Sequence, residues 1–315
     1  MSIQNTTGLS NLVAQYYDKK LLMNFYPNLV LYSMAQKRPI PKGSGTTINF
    51  HKIAKLSAST TPLVEGVAPA EDSLTATRPS ATIKQYGNYI LISDLLELVS
   101  IDPILDDAMK ELGKQAALTV DTLCRIELDS DCDNLFAGDN SALTGVGTDD
   151  PLTAREILRG RVSMQVNDIM DEAILVAHPI CVFDLKADTA AGGWMEVAKY
   201  LKKDEMILKG EEGKLFNVRI VSSSNIDSTA SGTESSATVY SNLMCTKGCF
   251  GAVELDSKGV KSMIVPRKPS IADPLAQVNS VGWKIEGFAA AYLGTTSTER
   301  RALRVRAGTA FTNAY

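Results

Sequence analysis

Histidine is almost missing from this chain, with two among 315 residues. Acid–base or metal chemistry built on imidazole therefore has little to draw on. The five cysteines (Cys124, Cys132, Cys181, Cys245 and Cys249) are odd in number and scattered. A secreted disulfide framework is denser and usually even, so reduced thiols are expected. No apolar run approaches the ~18 residues that a membrane-spanning helix needs. The best stretch, Ile174 to Phe183, is interrupted by His178 and Pro179. The first residues lack the basic start and long apolar core of a secretory signal, and an intracellular, soluble product is the expectation. A charge excess of one sign is missing too, since 32 basic against 36 acidic residues leave −4. A protein whose main task is to grip nucleic-acid phosphates carries a basic excess or stripe. Here the basic clusters are short (Lys37–Arg38, Lys202–Lys203, Arg300–Arg301) and read as solvated faces.

What is present suits a globular protein. Hydrophobic residues make up 44% of the chain, enough to exclude wholesale disorder. The length fits one large domain or two modest ones. No internal repeat is visible, which excludes solenoids and propellers.

Along the chain, residues 1–35 read as a mixed helical or extended arm, and Pro39 and Pro41 then forbid a helix. Thr46–Ile53 alternates and is rich in β-branched residues, which predicts a strand, and so does Ala81–Ser93, where Gly87 marks a bulge or bend. Between them Lys55–Pro79 is rich in Ser, Thr, Ala and Pro. A connection that long is usually functional, so the two strands read as a hairpin projecting from the body. Ser100, Asp102, Pro103, Asp106 and Asp107 then form a helix start. Apolar residues recur every three or four positions from Ile104 through Leu112, Ala116 and Val120 to Ile126, predicting a helix over about 102–129 with an Asp106–Lys110 pair on its outer face. Such a helix would span ~40 Å, the dimension of a strut.

Further on, the pattern predicts a helix over 153–166 with a Thr153/Glu156 capping box, a buried strand Ala173–Ala177, and helices opening near Pro179 and near Trp194–Leu201. A strand Val218–Ser222, an exposed loop Ser222–Ser236 and a strand Thr238–Asn242 follow. The region closes with a small-residue helix near Gly248–Leu255 and a strand Val260–Val265. The tail returns to strands at Gly282–Leu293 and Ala302–Ala307.

Catalytic patterns are weak. There is no Gly-rich phosphate loop, no dinucleotide fingerprint and no nucleophile elbow. Cys245 and Cys249 lack a second Cys/His pair at zinc spacing, and two small residues on adjacent helical turns is the simpler reading. His178 beside Pro179 reads as a structural hydrogen-bonding residue. Asp129, Asp131, Asp133 and Asp139 lack the Gly and terminal Glu of a calcium loop. An enzyme using Cys181 or Cys245 stays as a distant alternative.

The most specific signal is a set of short segments in order. They are Tyr16–Leu22, Gln36–Lys42, Thr46–Phe50, Pro62–Gly66, Lys84–Gly87 with Ile92–Asp94, Asp102–Pro103, Ala177–Pro179, Gly213–Leu215 with Val218–Arg219, and Asp273–Leu275 leading into Ser280–Lys284. The chain resembles, over residues 14–307, the major capsid protein family of tailed bacteriophages typified by the N-four-type coat protein.

That resemblance implies an α+β fold of the Hong Kong 97 type. Its parts would be an N-terminal arm (1–45), an extended E-loop hairpin (46–93), and a peripheral domain (94–169) holding a long spine helix. An α/β axial domain (170–265) and a return to the peripheral domain (266–315) would complete it. The implied function is a coat protein that assembles with itself, as hexamers and pentamers, into a shell enclosing double-stranded DNA without reading its sequence. A portal and scaffold or decoration proteins are the implied partners; neither cofactor nor membrane is. The hairpin supplies the candidate inter-subunit contacts: Pro62, Leu63, Val64, Glu65, Gly66, Val67 and Arg78. Apolar groups there are a liability on a lone subunit and a gain when buried under a neighbour. A cellular nanocompartment shell of the same fold is the nearest alternative, because fold alone does not fix function.

Overall fold

The computed structural model describes residues 29–39, 45–56, 58–63, 65–68, 71–100, 104–188, 211–230, 238–253, 260–265, 275, 277–294 and 300–309. Most of the expected arm, Asp102–Pro103, Val64, Asp273–Pro274 and the helix expected near Trp194–Leu201 lie outside these residues.

The first half of the chain runs β1 (Gln36–Arg38), β2 (Thr47–Asn49), β3 (Lys52–Ile53), β4 (Ala76–Thr77), β5 (Ser80–Thr82), β6 (Lys84–Ser93), α1 (Asp94–Val99), α2 (Ile104–Asp131), β7 (Asp133–Phe136) and α3 (Ala154–Val166). The second half runs β8 (Ala173–Ala177), α4 (Pro179–Ala187), β9 (Glu211–Leu215), β10 (Val218–Ser222), β11 (Ser228–Ala230), β12 (Thr238–Thr246), β13 (Phe250–Val253), β14 (Val260–Val265), β15 (Val278–Phe288), β16 (Ala290–Tyr292) and β17 (Ala302–Ala307). The fold is mixed α+β.

α2 organises one core. Met109, Leu112, Ala116, Val120, Cys124 and Leu128 recur at three- and four-residue spacing and are fully buried. They pack with Val281, Trp283 and Ile285 of β15, Ile92 of β6 and Phe250 of β13. Each fully buried Leu or Met side chain contributes about 1.5–3 kcal/mol. The stripe is rotated from the expected one, because Ile126 points to solvent. Lys110 pairs with Asp107 at 2.7 Å instead of Asp106. The Gln115 side chain ties the helix to two strands at once, accepting from Asn88 Nδ2 and Trp283 Nε1, each at 3.1 Å.

The second core lies on a mixed seven-stranded sheet ordered β7-β17-β12-β8-β10-β9, with β11 added onto β12. β8 is buried on both faces, which is why it reads as a continuous apolar run. Ile157 and Met164 of α3 and Cys181, Val182 and Leu185 of α4 cover this sheet. The expected capping box at Thr153 does not form. Glu156 is buried and turns to Arg159 at 2.6 Å, leaving the Thr153 side chain without a capping bond.

Three expectations fall in β regions. Of the helix expected near Gly248–Leu255, the described residues 248–253 are a turn followed by β13, since Gly248 sits at φ 76 and Phe250 and Val253 bury their side chains, while residues 254 and 255 lie outside the described ones. The loop expected over Ser222–Ser236 contains β11, a short polar strand exposed on the edge of β12. Gly87 makes no bulge. It pairs with Lys284, and a Cβ there would come within 2.8 Å of the Trp283 carbonyl. The irregularity lies on the partner strand between Glu286 and Phe288, where Gly287 has φ 115.

Candidate assembly surface

The projecting hairpin is built from its root outwards. β2 pairs antiparallel with β5, and β3 with β4. Thus Thr46–Ile53 is two short strands interrupted at Phe50, and not one strand. Phe50 is the anchor. Its backbone N–H donates to Pro79 O at 2.8 Å, while its ring is buried with Ala81, Val253, Ala289, Ala291 and Leu293. Gly251 leaves the space for that ring, since a Cβ there would lie 2.3 Å from two of its carbons. Arg38 lies over the ring at 5.4 Å from its centre and donates to Asn49 O. Lys52 Nζ donates to Leu293 O at 3.0 Å, and Ala54 N–H to Thr75 O at 2.9 Å.

Beyond Ala54 and Thr75 the described chain is exposed throughout. Pro62, Leu63, Glu65, Gly66 and Val67 form the outer turn, where Gly66 adopts φ 80. Leu63 is 76% exposed and Val67 64%, so the apolar groups expected at the tip are indeed uncovered. Val64 falls outside the described residues. Arg78 sits at the stem between β4 and β5, and Glu65 in the turn, so the two do not meet. Among the described residues neither has an ion-pair partner. Lys55 bonds Asp168 at 2.5 Å, an exposed pair between the hairpin and the loop after α3. Such pairs contribute about 0–1 kcal/mol.

A second apolar surface went unread in the sequence. α1 is capped by Ser93, whose Oγ accepts from Leu96 N–H, and buries none of its residues. Leu95, Leu96, Leu98 and Val99 all face outward, Leu98 at 79% exposure. The available signal was four apolar residues among six directly behind a serine cap, more than one helix face needs. A third surface is a row on α3: Leu158, Val162 and Val166, continued by Met170.

The residues that the sequence singled out for possible chemistry serve structure. His178 caps α4, its Nδ1 accepting from Ile180 N–H at 3.3 Å, and stacks on Tyr240 at 4.3 Å. Burial holds its pKa below the ordinary histidine value. All five cysteines are free and buried. Cys245 lies in β12 and Cys249 in the turn after it, not on adjacent helical turns. Burial pushes Cys124 and Cys132 up and Cys181 up to about 12; a hydrogen bond with Cys249, then burial, raises Cys245. Asp129, Asp133 and Asp139 are each paired with arginine, which disposes of the calcium-loop pattern. Among the described residues no three His, Cys, Asp or Glu side chains gather as a metal site, and no helix is long and apolar enough to cross a membrane.

The described residues thus form a mixed α+β body with uncovered apolar surfaces. The profile of the phage capsid protein family matches residues 77–305, and the chain belongs to that family. It is a phage major capsid protein. Solved structures agree on the fold. The capsid of Ralstonia phage GP4 aligns with a TM-score of 0.73 at 13% identity, over 90% of this chain and 89% of that one. The cyanophage Pam1 capsid aligns at 0.65 and 14% identity, over 92% and 93%. The capsid of cyanophage P-SCSP1u aligns at 0.60 and 14% identity, over 89% and 88%. No curated protein matches the sequence.

Proposed function

We propose that copies of this chain associate as pentamers and hexamers into a closed icosahedral or prolate shell around double-stranded DNA. The fold would be of the Hong Kong 97 type, with α2 as the spine helix and the hairpin as the extended loop that reaches a neighbour. The domain divisions expected from the resemblance belong to this reading. One observation carries it: the hairpin is rooted in the core by Phe50 and then exposes Leu63, Val67 and Leu74 far from any cover of its own. An isolated subunit gains nothing from that arrangement; a neighbour that covers the tip recovers ~25 cal/mol per Å² of apolar area, before the cost of association.

The role is mechanical, not enzymatic, and needs no cofactor. DNA would be enclosed without sequence reading, consistent with a net charge of −4. A portal and scaffold or decoration proteins are the further partners. Assembly would take place in the host bacterial cytoplasm, where the five thiols stay reduced. The test is negative-stain electron microscopy with sedimentation velocity on the purified full chain. Rings of five or six subunits, or closed shells, are expected. A chain that stays monomeric at high concentration and under crowding overturns the reading.

A further inference from the structure

The hairpin does not account for all the uncovered apolar surface. α1 presents Leu95, Leu98 and Val99 on one side, continued by Leu91 of β6. α3 presents Leu158, Val162 and Val166 at four-residue spacing, continued by Met170. Positions i, i+4 and i+8 fall on one narrow face of a helix, here turned away from the buried face carried by Ile157, Arg161 and Met164. The neighbouring Arg161 bonds the carbonyls of Ile169 and Met170, and this fixes the turn that extends the row.

We propose that the α1 patch of one subunit packs against the α3 row of a second copy of this chain. The inference rests on the shell reading and names a contact separate from the hairpin. The chemistry of the two faces selects this occupant. Both faces are short helical stripes of aliphatic groups, which interlock as ridges and grooves. Their rims differ in charge. α1 carries only acidic groups, Asp94 and Glu97, so α1 against α1 would bring like charges together. The α3 row is edged by Arg155 and Arg159. Both arginines are already paired, Arg155 with Asp139 and Arg159 with Asp139 and Glu156, so the α3 rim is close to neutral against the acidic one of α1 and the apolar area dominates.

The size also fits. Each face offers four partly exposed apolar side chains, well short of the ~800 Å² per partner that a standard-size interface buries. That is too little for a stable dimer and reasonable for one contact among several in a lattice, where many weak links add through multivalency. A contact between two unlike patches also propagates from copy to copy, whereas a self-complementary one stops at a pair.

The test is chemical cross-linking of assembled full-length protein. Leu98→Cys and Val162→Cys are made singly and together, and particles are treated with a short bismaleimide. The native thiols are buried and serve as a silent background. The double variant is expected to give ladders of linked subunits on a denaturing gel, and each single variant to stay monomeric. Dimers from Leu98→Cys alone indicate a self-complementary contact and overturn the proposal. Particles from the double variant without ladders overturn it while leaving the shell reading intact. A wild-type chain that forms no particles brings both down. Independently, Leu98→Glu and Val162→Glu, both on exposed positions, are expected to keep the wild-type circular dichroism and melting profile while the assembled fraction falls at least tenfold. Unchanged assembly in both contradicts the contact.

Discussion

The carboxylate of Asp121 receives the backbone N–H of Leu31 at 2.7 Å, across 90 residues of sequence, in a site 3% exposed. The same oxygen accepts from Val30 at 3.1 Å and Tyr32 at 3.4 Å. One side chain of α2 thus satisfies the free amides that open the short turn Leu31–Met34. Through it, the entering chain is fixed to the long helix.

Asp121→Ala would strand those amides in the core. A buried donor without a partner costs about 1–3 kcal/mol, and the loss here should be on the order of 2–4 kcal/mol. The unfolding midpoint of the purified subunit measures it. A change below 1 kcal/mol contradicts the anchoring role.

Acidity acts on the same residue. Burial raises the pKa of Asp121 above 3.8, outweighing the three amides that lower it. A carboxyl raised on folding contributes stability at low pH, and this contribution is lost as pH rises through the folded value. Against Asp121→Asn, which cannot titrate, the wild-type melting temperature should therefore gain ground as pH falls from 7 towards 4. A constant difference across that range defeats the linkage.

The root of the hairpin offers a steric test. Gly251→Ala places a methyl group against the Phe50 ring, which must move. Overpacking of this kind costs about 1–3 kcal/mol. Limited proteolysis should also nick residues 55–75 faster than in the wild type, because the anchor has shifted. Equal cleavage rates argue against Phe50 as the anchor.

Removal of Lys55–Pro79, closed by a short Gly-Ser turn, should leave a folded subunit that no longer forms stable shells. The missing segment contributes no side chain to the two large cores. Circular dichroism together with electron microscopy decides the matter. Normal particles from the deletion would sink the role given to the hairpin.

All five thiols should be unreactive towards Ellman's reagent in the native protein and fully reactive in guanidinium. Their burial, and the rise of Cys181 to about 12, leave almost no thiolate at pH 8. Rapid labelling of Cys181 or Cys245 in the folded protein would revive a nucleophilic role.

Some of this was legible in the sequence. α2 announces itself because its apolar residues keep one period over 28 residues, and the hairpin because two alternating segments flank a long polar one. The misses have separate causes. β13 follows Gly248 and is short, so its residues carry too few periods to separate helix from strand. β11 is polar because it lies exposed on an edge, and edge residues do not show the apolar signature of a core strand. Glu156 fits a capping box by spacing, yet Arg159 one turn on competes for its carboxylate. The α1 surface escaped notice because exposure is a tertiary property. Leu95, Leu98 and Val99 look like core residues until the fold shows that nothing covers them.

The place of β17 in its sheet bears on how the subunit is made. It lies between β7 and β12, bonded to both, although it follows every other described strand in the chain. The interior of the sheet is therefore filled by the last of the described strands to leave the ribosome. Until it arrives, β7 and β12 have no common neighbour and the core against α3 lacks Leu303 and Val305. A chain that stops before β17 leaves β7 and β12 unjoined, so this sheet closes only once residues 302–307 are in place.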